Sequence, residues 1–237
     1  MKETIYTIPL TEAMEETEDC AFCYLEKKLE QEQVAYALGP AMMEPDYRIL
    51  SNEKGFCRRH VVKMAREKKA LPFALVLDTR ADEVIKRLES VRPIEGKGGL
   101  FGKKGSSYAA LAEEAKKLAG SCLVCERIQS TLEKFYHTFW YLFDKEPDFK
   151  KRVLSGSGFC LPHFAGLLSN MDKVGGKKEQ FAKELFDLEL AAFKKAKEDV
   201  HGFTKQFDYR SDKENWQGPK DAHLKAAECL SGYFERD

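Results

Sequence analysis

The chain has 237 residues, 43% of them hydrophobic, which is enough to bury a core as one large domain or two fused smaller ones. Its 39 basic and 39 acidic side chains cancel, so the composition excludes a global electrostatic attraction to nucleic acid or to an anionic membrane. No stretch approaches the roughly 20 apolar residues that a membrane-spanning helix needs.

Residues 1–18 form an acidic N-terminal segment. It contains Glu12, Glu15, Glu16 and Glu18 and no continuous apolar stretch, which is not the pattern of a secretory signal. We therefore expect a cytoplasmic protein with no membrane partner. In that reducing compartment, closely spaced cysteines favour metal ligands over structural disulfides.

Residues 19–120 predict five helices. The fourth is long and amphipathic, with apolar residues at helical spacing between Pro72 and Pro93. A glycine- and lysine-rich linker at 92–107 separates it from the fifth. The first three helices begin at short motifs, which are Cys20-x2-Cys23, Glu44-Pro45-Asp46 and Gly55-Phe56-Cys57-x2-His60.

Residues 121–237 repeat this order. A C-x2-C pair recurs 102 residues after the first, and a Gly-Phe-Cys-x2-His motif recurs 103 residues after its counterpart. A Glu-Pro-Asp segment at 146–148, a long amphipathic helix over 181–200 and a polar loop at 203–219 follow the same plan. The sequence therefore predicts an all-α fold of two tandem helical repeats, 19–120 and 121–237, of about five helices each.

The repeated motifs contain most of the soft metal donors of the chain. Three thiolates and one imidazole are a usual structural zinc set, a C-x2-C pair can chelate from a helix start, and a C-x2-H pair shares one helix face. We predict one site per repeat, made of Cys20, Cys23, Cys57 and His60 in the first and of Cys122, Cys125, Cys160 and His163 in the second. The sequence leaves open an exchange between repeats, in which Cys20 and Cys23 meet Cys160 and His163.

Two zinc ions are the expected cofactors, since iron–sulfur clusters, the alternative, usually take four cysteines. Four protein donors leave no open coordination position. We therefore expect an interaction or regulatory protein with an unidentified protein partner rather than an enzyme, and no catalytic residues stand out. One alternative is an iron–sulfur or labile-metal redox protein or enzyme. The other is a nucleic-acid-binding module that uses Arg58, Arg59, Lys68, Lys69 and the glycine- and lysine-rich linker, which the neutral total charge disfavours.

The doubled C-x2-C and Gly-Phe-Cys-x2-His motifs, the Glu-Pro-Asp segments and the Leu-Ser-Gly ending at 230–232 resemble an uncharacterised family of bacterial domains of unknown function. The resemblance covers most of the chain and implies no established activity. Some members of that family are labelled ABC-transporter substrate-binding proteins. Such a role implies export, for which the N-terminal segment predicts neither a signal nor a lipidation cysteine.

Overall fold

The computed structural model describes residues 5–17, 19–93, 107–207 and 218–235. Within these ranges the chain forms eleven α-helices and two short 3-10 helices, Pro40–Met43 and Asp172–Lys177, so the all-α prediction is confirmed. The helices are α1 (Thr7–Glu16), α2 (Ala21–Ala37), α3 (Pro45–Lys54), α4 (Arg58–Arg66), α5 (Ala70–Ser90), α6 (Tyr108–Gly120), α7 (Leu123–Lys145), α8 (Pro147–Leu154), α9 (Leu161–Ser169), α10 (Lys178–Lys205) and α11 (Ala222–Ser231). Most of the predicted linker at 92–107 and of the polar loop at 203–219 lies outside the described residues.

The helices begin at the motifs that predicted them. Helix α2 follows Cys20 directly and α4 follows Cys57. Helices α3 and α8 each start at a proline, where the missing N–H is not needed and the preceding glutamate is extended. Helix α5 begins earlier than predicted, at Ala70, so Pro72 lies in its first turn. Helix α1 forms inside the acidic N-terminal segment, for which no helix is predicted.

The chain divides into two compact units. One consists of Met1–Lys28 with Ser130–Asp237, and the other of Leu29–Gln129. The boundaries fall inside α2 and α7, whereas the predicted boundaries at 19–120 and 121–237 follow the sequence repeat. Each unit therefore combines the beginning of one sequence repeat with the later part of the other repeat.

The core of the unit formed by 1–28 and 130–237 is rich in aromatic rings. Phe22 of α2 and Phe139 of α7 are fully buried, with ring centroids 5.9 Å apart. Phe139 also contacts Phe149 and Phe159 edge-on, at 5.7 and 5.5 Å. Aromatic pairs of this kind contribute about 0.5–1.5 kcal/mol each beyond the area that they bury. This core fixes the start of α2 beside the Gly-Phe-Cys segment at 158–160.

The core of the unit 29–129 is aliphatic. It joins the end of α2 to α3, α4, α5 and the first residue of α7, through the buried residues Val34, Ala37, Leu38, Ala41, Tyr47, Met64, Val76 and Leu123. Helix α5 packs on α3 and α6. Among the described residues, none of the helices combines the length and apolar character that spanning a membrane requires.

Candidate metal centres

The structure collects the eight predicted donors into two groups of four. Cluster A consists of Cys20, Cys23, Cys160 and His163, and cluster B of Cys57, His60, Cys122 and Cys125. Within each cluster one donor atom per residue lies within 4.8 Å of all the others. Both groups could therefore hold a metal ion. The pairing predicted within each repeat is wrong, because the first C-x2-C meets the second C-x2-H, which is the exchange that the sequence leaves open.

Backbone contacts bring the second C-x2-C to the first Gly-Phe-Cys segment in cluster B. The N–H of Leu123 donates to the carbonyl of Gly55 at 3.0 Å. The hydroxyl of Ser121 donates to the carbonyl of Lys54 at 2.5 Å. These bonds hold the start of α7 against the turn that precedes Cys57, so Cys122 and Cys57 reach the same point.

Packing around an aromatic side chain forms cluster A. Phe22 lies between the two cysteines of its C-x2-C motif, and its ring centroid is 5.5 Å from that of Phe159 and 5.8 Å from that of His163. The chain closes over the cluster at Gly232, where a Cβ atom would lie 3.7 Å from the sulfur of Cys160. Cluster A is thus fixed by apolar contacts from α2 and by the end of α11.

Each cluster takes its cysteines from helix starts. Cys57 and Cys160 are the N-cap residues of α4 and α9, and each histidine follows three positions later. Cys20 and Cys122 precede α2 and α7, and their carbonyls accept helical N–H bonds from Tyr24 at 3.3 Å and Glu126 at 3.0 Å. The positive end of a helix dipole favours a thiolate at this position.

The donor atoms converge on one point in each cluster. In cluster A, the sulfurs of Cys20, Cys23 and Cys160 lie 3.5, 3.4 and 3.0 Å from Nδ1 of His163. In cluster B, the sulfurs of Cys57, Cys122 and Cys125 lie 3.3, 3.2 and 3.4 Å from Nδ1 of His60. One ring nitrogen carries a single hydrogen or a single lone pair, so hydrogen bonding cannot explain three sulfurs around it.

A carboxylate faces the opposite nitrogen of each imidazole. Nε2 of His60 donates to Glu30 at 2.9 Å, and Nε2 of His163 lies 3.5 Å from a carboxylate oxygen of Glu26. A carboxylate only accepts, so Nε2 carries a proton and Nδ1 is the nitrogen that faces the sulfurs. Once Nδ1 is deprotonated, its lone pair is available to a metal ion held by those sulfurs. This carboxylate–histidine arrangement is common behind metal-bound imidazoles.

Cations hold the carboxylate of cluster B in place. Lys63 approaches Glu30 at 2.6 Å and Arg59 at 2.9 Å. Burial would raise the pKa of Glu30, but His60, Lys63 and Arg59 outweigh it and lower that pKa to about 2. The side chain of Glu30 is only 5% exposed, whereas that of Glu26 is 26% exposed.

The thiols of each cluster ionise unequally. Burial raises the pKa of Cys122, yet the hydrogen bond with His60 outweighs it and lowers that pKa to about 6. Burial, together with the neighbouring Cys122, raises the pKa of Cys125 to about 12. In cluster A, hydrogen bonds with Cys20 and Cys23 lower the pKa of Cys160 to about 4, and the contact with Cys160 raises that of Cys23. In each cluster one thiolate thus forms at the expense of one neighbouring thiol, Cys125 in cluster B and Cys23 in cluster A. A divalent cation would stabilise all three thiolates.

A buried carboxyl supports the Gly-Phe-Cys segment of cluster A. Glu189 of α10 is 1% exposed, and its Oε1 accepts from the N–H of Phe159 at 2.8 Å. Its Oε2 is buried and has no hydrogen-bond partner among the described residues. Burial raises the pKa of Glu189 to about 8 despite that hydrogen bond.

Sequence reasoning missed these three carboxylates. The repeat places Ile128 and Leu132 opposite Glu26 and Glu30, so a search for repeated polar residues passes over both. One feature of the sequence could have indicated Glu26. It follows Cys23 by three positions, so both side chains lie on the same face of a helix. For Glu189 the sequence offers no such signal.

The sequence matches Family of unknown function (DUF6062) over residues 1–237, which confirms the resemblance to a family of unknown function. Comparisons with curated proteins and with solved structures gave no match.

Proposed function

Since the chain belongs to that family, whose function is unknown, we propose a function from the geometry of the two clusters. The protein binds two zinc ions, one in cluster A and one in cluster B. Both ions have a structural role, and the folded protein acts by binding a protein partner rather than as an enzyme.

The convergence of three sulfurs on one imidazole nitrogen carries this proposal. A tetrahedral ion with bonds of about 2.3 Å to sulfur and 2.0–2.1 Å to nitrogen separates two sulfurs by about 3.8 Å and a sulfur from a nitrogen by about 3.5 Å. The sulfurs of Cys23 and Cys160 lie 3.4 Å apart in cluster A, and those of Cys57 and Cys125 lie 3.8 Å apart in cluster B. The sulfur–nitrogen distances of 3.0–3.5 Å are slightly shorter. Both sets suit one ion per cluster.

The same spacing favours zinc over an iron–sulfur cluster. An iron–sulfur centre places several iron and sulfide ions between its cysteine ligands. Those cysteines therefore lie farther apart than the ligands of a single metal ion. Three thiolates and one imidazole are also a usual zinc set, whereas iron–sulfur clusters usually take four cysteines. The carboxylates behind both imidazoles add a feature that is typical of zinc sites.

The number of protein ligands indicates a structural role for each ion. Four protein ligands leave no position for water or substrate on the ion. Each ion would tie together segments that are distant in the sequence, 20–23 to 160–163 and 57–60 to 122–125. Binding of this kind contributes about 10–16 kcal/mol of apparent free energy, comparable with the net stability of a whole domain.

Native mass spectrometry with elemental analysis of protein purified without air tests the proposal. We expect two zinc ions per chain and no visible absorption. Cys229 belongs to neither cluster, so the Cys229→Ser variant should also retain two ions. Iron with visible absorption would establish the iron–sulfur alternative, and a metal-free folded protein would overturn the proposal.

A further inference from the structure

A cavity of about 630 Å³ borders cluster A. Three of the four donors of that cluster, Cys20, Cys23 and Cys160, line its wall. The seventh cysteine, Cys229 of α11, lines it too. A molecule in this cavity would therefore be next to the sulfurs of the cluster and would not need to unfold the unit to reach them.

Acidic side chains outnumber basic ones around this cavity. Lys27 and Lys225 are the two cations of its lining, and Lys27 lies over the ring of Tyr233 at 5.1 Å from the centroid. The acidic lining residues are Asp19, Asp221, Glu228 and Glu235. The net negative charge of this lining concentrates cations in the cavity.

The surroundings of cluster B differ in two respects. A cavity of about 520 Å³ includes Ser121 and Glu126, on either side of the C-x2-C motif, but none of the four donors of cluster B. The imidazole of His60 is fully buried, and its carboxylate partner Glu30 is fixed by Lys63 and Arg59. Cys125 of this cluster is exposed and Cys57 is half-buried, whereas Cys20 and Cys23 of cluster A are both half-buried.

We propose that cluster A is an exchangeable zinc site whose ion enters and leaves through the acidic cavity, while the ion of cluster B stays in place. This inference rests on the proposed function, that both clusters hold zinc. Exchange proceeds by ligand substitution, in which donors of an incoming chelator replace the thiolates one at a time. The freed thiolates take up protons, and no group is oxidised or reduced.

Release of zinc to an excess of a chromophoric chelator, followed together with alkylation by N-ethylmaleimide, tests this inference in the wild-type protein. Cys160 and Cys122 form a matched pair of reporters, because they are 2% and 4% exposed and each belongs to one cluster. We expect two release phases, with Cys160 alkylated in the fast phase and Cys122 in the slow one. The rates should differ by about tenfold or more, since contacts behind a ligand change metal affinity by 10–100-fold.

A variant that obstructs the cavity tests the route. Cys229→Trp should slow the alkylation of Cys160 and leave that of Cys122 unchanged. Leu230→Trp is the matched control, because Leu230 is next on α11, is 58% exposed and does not line the cavity. It should release zinc at the wild-type rates. Unchanged release from Cys229→Trp with two bound ions would overturn the proposed route.

A second pair of substitutions keeps the inference falsifiable if Cys229→Trp does not fold. Asp221→Asn with Glu228→Gln should slow the rebinding of zinc to cluster A about tenfold at low salt, because the lining then attracts cations less. Equal release rates for both ions, or alkylation of Cys122 before Cys160, would overturn the inference and leave two-zinc binding intact. A chain without zinc would overturn both proposals.

Discussion

At the scale of single residues, the carboxylates of Glu30 and Glu26 orient the imidazoles so that Nδ1 of each ring faces the sulfurs. Glu30 accepts from Nε2 of His60, so Nδ1 is the nitrogen that would bind an ion together with Cys57, Cys122 and Cys125. Without this contact the ring would lose its fixed tautomer and part of its basicity. Glu26 is placed in the same way behind His163, at the longer distance of 3.5 Å.

Replacing Glu30 by glutamine should weaken zinc binding at cluster B. Glutamine keeps an oxygen acceptor but loses the negative charge that makes the imidazole a stronger ligand, so we expect affinity to fall by about 10–100-fold. Competition with a chelator of known affinity measures the change. Glu26→Gln is the matched control and should weaken cluster A less. Equal losses in the two variants would contradict the assigned role of Glu30.

Glu189 should make the protein less stable as the pH rises. Its pKa is raised from 4.5 to about 8 in the folded protein, so the folded state binds this proton more tightly than the unfolded state does. The free energy of unfolding therefore contains a contribution that is complete below about pH 4.5 and is lost as the pH rises through about 8.

The Glu189→Gln variant isolates that contribution. Glutamine can still accept from the N–H of Phe159 but does not ionise, so its stability relative to wild type should increase with pH, by at most about 1.4 kcal/mol per pH unit. Urea unfolding of the zinc-loaded proteins at several pH values measures the difference. Glu198→Gln, at an exposed position of the same helix, should show no such trend. A pH-independent difference for Glu189→Gln would argue against a protonated carboxyl.

At the scale of the elements, two turns that contain glycine determine where the helices with the C-x2-H histidines begin. Gly55 ends α3 with φ 65° and ψ −157°, and Gly158 has φ 82°. Side chains strongly disfavour this backbone region. The long helix of each unit packs against the turn, Arg80 of α5 against Gly55 and Glu189 of α10 against Gly158. The turns therefore fix where α4 and α9 begin, and with them one cysteine and the histidine of each cluster.

Gly55→Ala should destabilise the protein by about 1–3 kcal/mol, the cost of a strained backbone conformation. The added Cβ would also lie 2.6 Å from Nε of Arg80, which must move. Urea unfolding measures the loss, and the zinc affinity of cluster B should fall with it. Gly120→Ala is the control, because nothing lies within 4 Å of a Cβ there and alanine suits a helix. A neutral Gly55→Ala would contradict the role of this turn.

The sequence was a good guide to the elements. The C-x2-C, Glu-Pro-Asp and Gly-Phe-Cys motifs predict where α2, α3, α4 and their later counterparts start, because caps and prolines act locally. Scarce cysteines and histidines at repeated spacing also identify all eight donors of the clusters. The supporting residues Glu26, Glu30 and Glu189 could not be found in this way, since they lie on helix faces that only the packing brings to the donors.

At the scale of the whole molecule, the pairing of the half-sites is what the sequence could not decide. The two C-x2-C motifs are chemically equivalent, as are the two C-x2-H motifs, so either pairing completes two sites of three cysteines and one histidine. Long-range contacts select one of them. The bond from Leu123 to Gly55 draws the second C-x2-C to the first turn, and the contact of Phe22 with Phe159 draws the first C-x2-C to the second turn.

Native mass spectrometry of two double variants in the presence of a competing chelator tests this account most directly. Cys23→Ser with Cys160→Ser removes two donors of cluster A alone, and we predict that one zinc ion remains. Cys23→Ser with Cys57→Ser removes one donor from each cluster, and we predict that none remains. The opposite result, one ion in the second variant and none in the first, would show that each repeat binds its own ion and would contradict the exchanged pairing.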